Sequence, residues 1–453
     1  MIFASLRESL LQQVKRHILG LTPTQALALS YVGLCIMGSL LLKLPAATQI
    51  PITWPQAIFT AVSASTVTGL VVVDTGTHFT LLGHWILLFL MQCGGLGLMT
   101  FGILIIHLMK GQLGLKHRAA LRESFNQSGQ GDLRRLMLWA VGFTAVTEAL
   151  GTVLLAMQWV PELGWGQGLF YSFFHALSAF NNAGFALRAD SLMPYAGNPL
   201  VNSVISYMFI SGGIGFIVVA DILGQPGFKN YSLHTKLMLI GTLAINLVSM
   251  VVILVLEYGN PATLGALSGW DAKLWASWFH GAVPRSCGFN TLDTGALLPS
   301  TTFFIIGLMF IGGGSGSTAG GIKLSTFIVV LLATWVFLRK QERPVVFGRS
   351  IPLDIIRKSL AIIVISLLCV TTGIFLLTVT ESAPFLDLAF EGVSAAATVG
   401  LSRGITADLS LAGQAIIMVL MVIGRIGPLT IAFTLATSRG ESIQYPPGQV
   451  SLG

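Results

Sequence analysis

Four segments of the chain share one residue spacing that could bind a dehydrated cation. Each segment has an aromatic residue ten positions before a glycine and a small residue six positions before it, and the glycines are Gly69, Gly184, Gly288 and Gly400. Glycine permits backbone conformations that aim carbonyl oxygens inward, and such oxygens can replace the water around an ion. The pattern therefore predicts an ion site made of peptide oxygens, with one contribution from each segment.

The residues just before the glycines form the predicted selectivity filter. Two segments, at 67–69 and 398–400, read Val-Thr-Gly and Thr-Val-Gly, close to half of the Thr-Val-Gly-Tyr-Gly filter of potassium channels. One such glycine alone would indicate a helix C-cap, but four in register favour an ion site. The predicted set is Thr66, Val67, Thr68, Gly69, Asn182, Ala183, Gly184, Ser286, Cys287, Gly288, Thr398, Val399 and Gly400, with potassium at the four glycines.

An arginine stands 25 positions after the last of these glycines. Arg425 occupies a place that is glycine in the first two repeats, at Gly95 and Gly213. Because a guanidinium in hydrocarbon is costly, it should face the bundle interior. At an effective dielectric near 20 and about 7 Å, it would repel a passing cation by about 2.4 kcal/mol, enough to slow transit about fifty-fold. We predict an electrostatic barrier; the alternative is that Arg425 only pairs with a carboxylate such as Glu148.

A glycine-rich run interrupts the third inner helix between Ile311 and Lys323. Each glycine costs a helix up to about 1 kcal/mol relative to alanine, so the helix should break. Broken helices in membranes line ion sites and gates. The predicted gate consists of Gly312, Gly313, Gly314, Ser315, Gly316, Ser317, Thr318, Ala319, Gly320, Gly321 and Arg425.

Catalytic interpretations of this run are weak. The phosphate-binding pattern needs lysine directly after glycine, but Gly321 is followed by Ile322. A serine nucleophile at Ser315 would lack a convincing base. We therefore expect that the protein is not an enzyme and carries no covalent cofactor.

The composition is that of a polytopic membrane protein. Of 453 residues only 9% are charged, against about 25% in soluble domains. The mean hydropathy is +0.80, and uncharged runs of membrane-spanning length occur at 237–256 and 359–380. The net charge of +7 need only reflect basic residues gathered on one membrane side, so no nucleic acid partner is expected.

The repeats predict an all-α integral membrane fold with four tandem units of outer helix, re-entrant pore helix and inner helix around a pseudo-four-fold pore. The short segments hold only about 12 apolar residues before the glycine, whereas a crossing needs about 20, so each must enter and leave on one side. The predicted pore repeats are 22–111, 132–225, 234–340 and 354–438, between an N-terminal segment at 1–21 and a C-terminal tail at 439–453. Outer helices are expected near 24–44, 136–158, 236–257 and 358–380, and inner helices near 83–109, 200–223, 302–338 and 413–436.

The distribution of charge predicts the orientation. Lysine and arginine gather at the termini and in the loops between repeats, which places both termini in the cytoplasm and the pore helices on the outside of the cell (inner) membrane. Acidic residues follow the glycines on the outer side, and they either concentrate cations or are ordinary loop and cap residues: Asp74, Asp190, Asp293 and Asp408.

From about Thr22 to Ala436 the sequence resembles the superfamily of potassium transporters that includes the KtrB, TrkH and plant HKT proteins. The KtrB branch is the closer resemblance, because the first outer helix begins near residue 24, without the two additional helices of TrkH-type chains. The resemblance implies one filter glycine per repeat. It also implies potassium preference, since a serine in place of Gly69 accompanies sodium preference in the plant branch.

The same resemblance implies partners and regulation. KtrB-like proteins form homodimers docked on a cytosolic ring of nucleotide-binding regulatory subunits of the KtrA type, and their uptake is often sodium-dependent. The expected function is thus a potassium-translocating membrane subunit whose ions are potassium in the filter and, where uptake depends on it, sodium. The run at 312–321 would be the intramembrane loop that blocks the pore beneath the filter.

Two other functions remain open from the sequence. One is an unregulated or sodium-selective channel or carrier of the same fold. The other, from a different class, is a solute carrier or intramembrane enzyme whose half-helices bind an organic substrate.

Overall fold

The described part of the chain folds into apolar helices joined by loops. The computed structural model describes residues 23–108, 133–341 and 343–427. The helices in these ranges are α1 (Pro23–Leu42), α2 (Trp54–Ser65), α3 (Leu81–Leu108), α4 (Leu133–Leu163), α5 (Trp165–Phe180), α6 (Pro199–Gly213), α7 (Phe216–Gly224), α8 (Leu233–Glu257), α9 (Trp270–Ala282), α10 (Pro299–Phe310), α11 (Leu324–Leu338), α12 (Leu353–Thr380), α13 (Phe385–Ala396) and α14 (Leu411–Ile426), with a single turn at Thr75–His78 between α2 and α3. The predicted segments 1–21 and 439–453 lie outside the described residues.

Helix length separates two kinds of element. In the described residues, three helices are long and apolar enough to cross a membrane: α4 from Trp139 onward, α8 and α12. By contrast α2, α5, α9 and α13 have 12 to 16 residues. At 1.5 Å per residue they are shorter than a hydrocarbon core of about 30 Å. The predicted helical membrane protein is confirmed at this level.

A small hairpin departs from the all-helical prediction. The strands β1 (Val345–Val346) and β2 (Arg349–Ser350) pair antiparallel between α11 and α12. The two turn residues, Phe347 and Gly348, have φ of 50° and 73°, which is the left-handed backbone that tight hairpins require. Hydrophobic patterning gave no signal for so short a pair.

Capping residues fix where several helices begin. Thr53 and Gln56 form a reciprocal capping box at the start of α2. Asn198 caps α6 through its side-chain oxygen, and Ser410 caps α14 in the same way. These local signals start α2 after a short loop and start the helices that follow the second and fourth glycine segments.

Two predicted inner helices are interrupted. The helix expected at 302–338 breaks as predicted, between the end of α10 and the start of α11. The helix expected to be continuous at 200–223 is instead bent by 94° between α6 and α7. Gly215 has a φ of 105° at this bend, a conformation that continues no right-handed helix. Gly427, three residues after Gly424, has a φ of 95° and likewise ends α14 at Ile426. The rest of the helix expected at 413–436, from residue 428 on, lies outside the described residues.

The interior and the outer surface are both apolar. The aromatic residues that precede three of the four glycines by ten positions, Phe59, Phe174 and Phe390, are fully buried. On the outside of α4, α8 and α12, large apolar side chains stay exposed, as at Val146, Val255 and Phe375. Extended exposed apolar surface indicates a lipid environment rather than water.

Candidate functional site

The four glycine segments begin where the short helices end, and three of them share one backbone path. After α2, α5 and α13 the chain takes a positive φ at Val67, Asn182 and Thr398. Two residues later it does so again, at Gly69, Gly184 and Gly400. A left-handed conformation is unusual for β-branched residues such as valine and threonine, and it persists only where the surroundings enforce it. Strain at equivalent positions makes these turns the candidate functional site.

A serine at the end of two short helices holds the turn in place. The backbone N–H of Gly69 donates to Ser63 Oγ at 3.1 Å, and that of Gly400 donates to Ser394 Oγ at 3.1 Å. In the second segment Ser178 Oγ donates to the carbonyl of Phe185 at 2.9 Å. The spacing of six residues was visible in the sequence, but its role as a clamp on the turn was not predicted.

The third segment departs from this pattern. A 3-10 turn, Val283–Arg285, follows α9, and Ser286 has a φ of −164° instead of a left-handed conformation. Alanine at 282 replaces the clamping serine, and the backbone N–H of Cys287 bonds to the carbonyl of Val283 at 3.0 Å. The common sequence spacing therefore hides one segment with a different turn.

The four segments contact one another in a closed cycle. A Cβ added to Gly69 would overlap the carbonyl of Ala183, and one added to Gly184 would lie 2.5 Å from the nitrogen of Gly288. A Cβ on Gly288 would lie 2.9 Å from the carbonyl of Gly400, and one on Gly400 would overlap the carbonyl of Thr68. Each segment thus packs on the next, and the fourth packs on the first. No side chain larger than hydrogen fits at any of the four glycines.

The predicted filter residues lie together in this cycle. Their side chains are at most 6% exposed: Thr66, Val67, Thr68, Asn182, Ala183, Ser286, Cys287, Thr398 and Val399. We call these residues and the four glycines the glycine ring. A set of buried backbone carbonyls without acidic side chains suits a monovalent cation that is bound through neutral oxygens.

Beneath the ring, the inner helices meet the ends of the short helices through glycine. A Cβ added to Gly94, Gly212 or Gly424 would overlap the carbonyl oxygen of the last residue of a short helix. The three carbonyls belong to Ser65, Phe180 and Ala396. Because glycine allows this approach, the first, second and fourth repeats share one contact between inner and short helices.

In the third repeat this place is taken by an irregular loop. Residues 311–323 connect α10 and α11, and we call them the glycine loop. The loop docks on the bend after α6, where the N–H groups of Gly314 and Thr318 donate to the carbonyls of Gly213 and Gly212 at 2.7 and 3.1 Å. In return, the N–H of Phe216 donates to the carbonyl of Gly316 at 3.0 Å. The bend and the loop therefore satisfy each other's backbone groups.

The glycine loop also reaches the glycine ring. Asn182 Nδ2 donates to Thr318 Oγ1 at 2.6 Å, and Thr318 Oγ1 donates to the carbonyl of Phe180 at 3.1 Å. On another side, a Cβ added to Gly320 would overlap Thr398 Oγ1. The predicted gate residues thus lie directly against two of the four ring segments.

Arg425 binds backbone carbonyls beneath the ring. Its guanidinium donates to the carbonyls of Thr318 and Gly94, to the carbonyl of Gly95 at 3.0 Å and to the hydroxyl of Tyr31 at 3.2 Å. Arg425 therefore joins the glycine loop to α3 and α1 while its charge remains without a carboxylate among these partners.

The alternative pairing of Arg425 with Glu148 is wrong in this structure. The Glu148 carboxylate accepts from Gln92 Nε2 at 3.3 Å and from Asn181 Nδ2 at 3.1 Å. Asn181 stands at the end of α5, so this buried carboxylate is held by neutral amides behind the ring instead of by the arginine below it.

Lys323 is a second cation that sequence reasoning missed as a functional residue. Its Nζ donates to the carbonyl of Ala319 at 2.8 Å, next to the Thr318 carbonyl that Arg425 binds. Two cationic side chains therefore hold consecutive carbonyls of the glycine loop. The available signal was a lysine that closes a glycine run inside an apolar segment, where an ionisable residue indicates function.

Three of the four acidic residues that follow the ring glycines take local partners. Asp74 accepts from the N–H of Gly76 at 2.9 Å, and Asp293 accepts from that of Gly295 at 2.9 Å. Asp190 forms a salt bridge with Arg188 at 2.9 Å, and the hydrogen bonds from that arginine lower the pKa of Asp190. These contacts favour the interpretation as cap and loop residues over a cation-concentrating ring.

Comparison with known proteins gives a consistent result. The sequence profile described as TrkH, cation transport protein, matches residues 34–445. The chain is 50% identical over 432 residues to the Ktr system potassium uptake protein B of Bacillus subtilis, covering 95% of this chain and 97% of that one. It is 46% identical over 427 residues to the protein of the same name from Vibrio alginolyticus, covering 94% of each.

A solved structure shares the fold. The crystal structure of the potassium transporter TrkH from Vibrio parahaemolyticus matches with a TM-score of 0.70 at 17% identity, over 92% of this chain and 86% of that one. The matched proteins are named as transporters, which confirms the prediction that the chain is not an enzyme. Together with the apolar helices, this identifies a multi-pass membrane protein. By its sequence profile and by these relatives, the chain belongs to the TrkH family of cation transport proteins.

Proposed function

We propose that this protein is the potassium-translocating membrane subunit of a potassium uptake system. The observation that carries the proposal is the closed cycle of contacts among the four glycine segments. Carbonyl oxygens of Thr68, Ala183, Cys287 and Val399, with those of the ring glycines, are the proposed ligands of a dehydrated potassium ion. The relatives at 50% and 46% identity are both named as potassium uptake proteins.

The proposed architecture is a pore on a pseudo-four-fold axis through the glycine ring. Its four repeats, at 22–111, 132–225, 234–340 and 354–438, each contribute an outer helix, a re-entrant pore helix and an inner helix. Both termini lie in the cytoplasm in this arrangement, since lysine and arginine gather on that side. The carboxyl ends of α2, α5 and α13 adjoin the ring, where each helix dipole supplies about half a negative charge that favours cations.

The glycine loop and its two cations form the proposed gate. The loop lies against the ring through Thr318 and Gly320, and Arg425 and Lys323 hold its backbone. A cation leaving the ring meets these positive charges, so transit requires the loop to move away. Arg425 and Lys323 together form the proposed electrostatic barrier.

Regulation is proposed to come from other subunits. The name Ktr system potassium uptake protein B describes one component of a larger system. We therefore propose a homodimer that docks on a cytosolic nucleotide-binding subunit of the KtrA type, with uptake that depends on sodium. Outside the pore, no further cofactor is part of the proposal.

Growth rescue tests the function. A strain that lacks its own potassium uptake is transformed with this gene, with and without a KtrA-type subunit, and is grown at low potassium with and without sodium. The proposal expects growth at low potassium that is strongest with both the subunit and sodium. Absence of rescue under every condition, despite protein in the membrane, would overturn potassium uptake.

A second arm separates the parts of the proposal. Rubidium influx into proteoliposomes that hold the purified protein tests translocation directly, and sodium influx tests the sodium-selective alternative. Full rescue by the chain alone would overturn the dependence on a regulatory subunit without affecting potassium translocation. In a structure of rubidium-soaked protein, we expect rubidium density at the glycine ring.

A further inference from the structure

A small cavity lies beside the glycine loop, between α6, α8 and the end of α9. Its polar lining consists of Thr242, Asn246, Arg285 and Ser286, and Gly213 and Gly313 close it toward the loop. The space that is open to the centre of a water-sized group is about 10 Å³. That is the room which one water molecule or one monatomic ion needs.

Arg285 is a buried cation whose hydrogen bonds are incomplete. Its side chain is 5% exposed. Nη1 donates to Asn246 Oδ1 at 2.8 Å, whereas Nε has no hydrogen-bond partner. A guanidinium carries five donors and no acceptor, so the partners that it lacks must be acceptors.

The cavity offers donors but no negative charge. Its lining contains no aspartate or glutamate. The hydroxyl of Thr242 is buried without a hydrogen-bond partner, and Asn246, whose oxygen accepts from Arg285, has its amide N–H groups left to donate. Guanidinium, hydroxyl and amide donors therefore line the cavity beside a positive charge that no carboxylate of the lining balances.

Comparison with the second repeat shows what is missing. Arg285 and Asn181 stand at the same position, three residues before their ring glycines Gly288 and Gly184. Asn181, which is neutral, lies against the carboxylate of Glu148 at 3.1 Å. Arg285, which is charged, lies against a neutral amide. The positive charge thus has no counterpart within the described residues that line the cavity.

An unpaired charge in a dry interior is costly. Removing one partner from a buried ion pair destabilises a protein strongly, because the remaining charge is left without compensation. A water molecule would satisfy Nε but would leave the charge unbalanced, whereas an anion would do both. Phosphate and carboxylate ligands are too large for a space that admits one water-sized centre.

We propose that this cavity binds a small monovalent inorganic anion of the halide class, held by Arg285, Thr242 and Asn246. The three proposed ligands lie outside the glycine ring, although Ser286 of the ring also lines the cavity, and the proposal does not depend on whether the ring selects potassium. The anion neutralises Arg285 at the carboxyl end of a short helix, next to Gly213, whose carbonyl accepts from the loop residue Gly314 at 2.7 Å. Occupancy therefore stabilises the region where the bend and the glycine loop meet.

Bromide gives a direct test on the unmodified protein. The full-length protein is purified in lipid with bromide in place of chloride, and its structure is determined with anomalous diffraction at the bromine edge. The expected result is an anomalous peak in the cavity, within hydrogen-bonding reach of Arg285 Nε. An ordered water molecule without an anomalous peak would overturn the proposal.

Thermal unfolding gives a second test that does not depend on ion transport. Replacing chloride by gluconate at equal ionic strength should lower the Tm of the wild-type protein by about 2 °C or more, because a ligand that binds only the folded state stabilises it. Arg285→Gln should abolish this chloride dependence, and Arg188→Gln, in an exposed outer loop, should retain it. Equal dependence in the wild type and in Arg285→Gln would overturn the proposal.

Thr242→Val tests the same site if Arg285→Gln does not fold. Thr242→Val removes one donor and keeps the charge and the shape. It should raise the chloride concentration needed for half of the Tm shift by about tenfold, the loss expected for one hydrogen bond to a charged ligand. An unchanged chloride midpoint in Thr242→Val would contradict the assigned ligands.

Discussion

The four repeats resemble one another in the glycine ring and diverge in the layer beneath it. In the ring, the four repeats contribute similar pieces, and three of them adopt the same pair of positive φ angles. One layer below, the first, second and fourth repeats still share a glycine contact with a short helix, but the inner elements of the four repeats take four different forms. The first keeps a continuous helix through Gly95, the second bends at Gly215, the third unwinds into the glycine loop, and the fourth carries Arg425.

The difference follows from what each layer is made of. The ring uses backbone atoms, and backbone geometry can be repeated by different sequences provided that a glycine is present. The lower layer uses a loop that docks on one bend and on two side chains, so each repeat must supply a different part. Repeated backbone turns suit the equal coordination of an ion from four sides. Divergent repeats suit a gate in which only one segment, the glycine loop, moves.

The largest expected effect comes from breaking the ring. Gly400→Ala would place a Cβ on the carbonyl of Thr68 and force an alanine to a φ of 90°, of which the backbone strain alone costs about 1–2 kcal/mol. We expect rubidium influx in proteoliposomes to fall to the background level.

The control for this variant is Gly404→Ala. Gly404 has a φ of 95° but no neighbouring atom within 4 Å of an added Cβ, so it imposes the strain without the overlap. It should retain most of the influx. Similar influx in the two variants would show that the contact with Thr68 is not essential.

The second effect comes from removing the charge in the lower layer. Arg425→Gln should raise rubidium influx by up to about fifty-fold, because a cation about 7 Å from a guanidinium is repelled by about 2.4 kcal/mol at an effective dielectric near 20. Influx per reconstituted protein is the measurement. Arg188→Gln removes an arginine from an exposed loop between α5 and α6 and should leave the influx unchanged.

An unchanged influx in Arg425→Gln, accompanied by a lower Tm, would assign the arginine to structure alone. In that case its bonds to the carbonyls of Gly94 and Thr318 would only hold α3 against the glycine loop.

The smallest effect concerns the second cation. Lys323→Met keeps the length of the side chain but removes the donor to the Ala319 carbonyl. A hydrogen bond to a charged group contributes about 1.5 kcal/mol or more, and part of it is replaced by water, so influx should rise about three- to tenfold. Lys229→Met, at an exposed lysine, is the matched control. A decrease in influx would contradict the role of Lys323 in closing the loop.

Much of the ring could be predicted from sequence because its signal repeats. The short helices, the ring glycines and the break at the glycine loop all follow from spacing and from the helix cost of glycine. The bend after α6 was missed, because a single Gly-Ile-Gly in an apolar run also fits a continuous helix. At the observed bend, the glycine loop satisfies the freed carbonyl groups of Gly212 and Gly213, and this long-range partner is not visible in the sequence.

Long-range partners were the other limit. The sequence suggested Glu148 as a partner for Arg425, because charged side chains can be identified in a sequence and opposite charges are expected to pair. Backbone carbonyls carry no signature in a sequence, and Arg425 binds three of them. For the same reason, the sequence did not predict that Arg285 donates to the neutral side chain of Asn246.

The contacts of Arg425 also indicate at which stage of protein synthesis the proposed gate can form. The arginine meets Tyr31 across 394 positions of sequence and the carbonyl of Gly94 across 331. Contacts so remote in sequence form late, because the intervening chain must be ordered first. A nascent chain with three finished quarters therefore lacks both the fourth segment of the proposed ion path and the charge of the proposed gate. In this proposal the path and its gate are completed together by the final hundred residues or so.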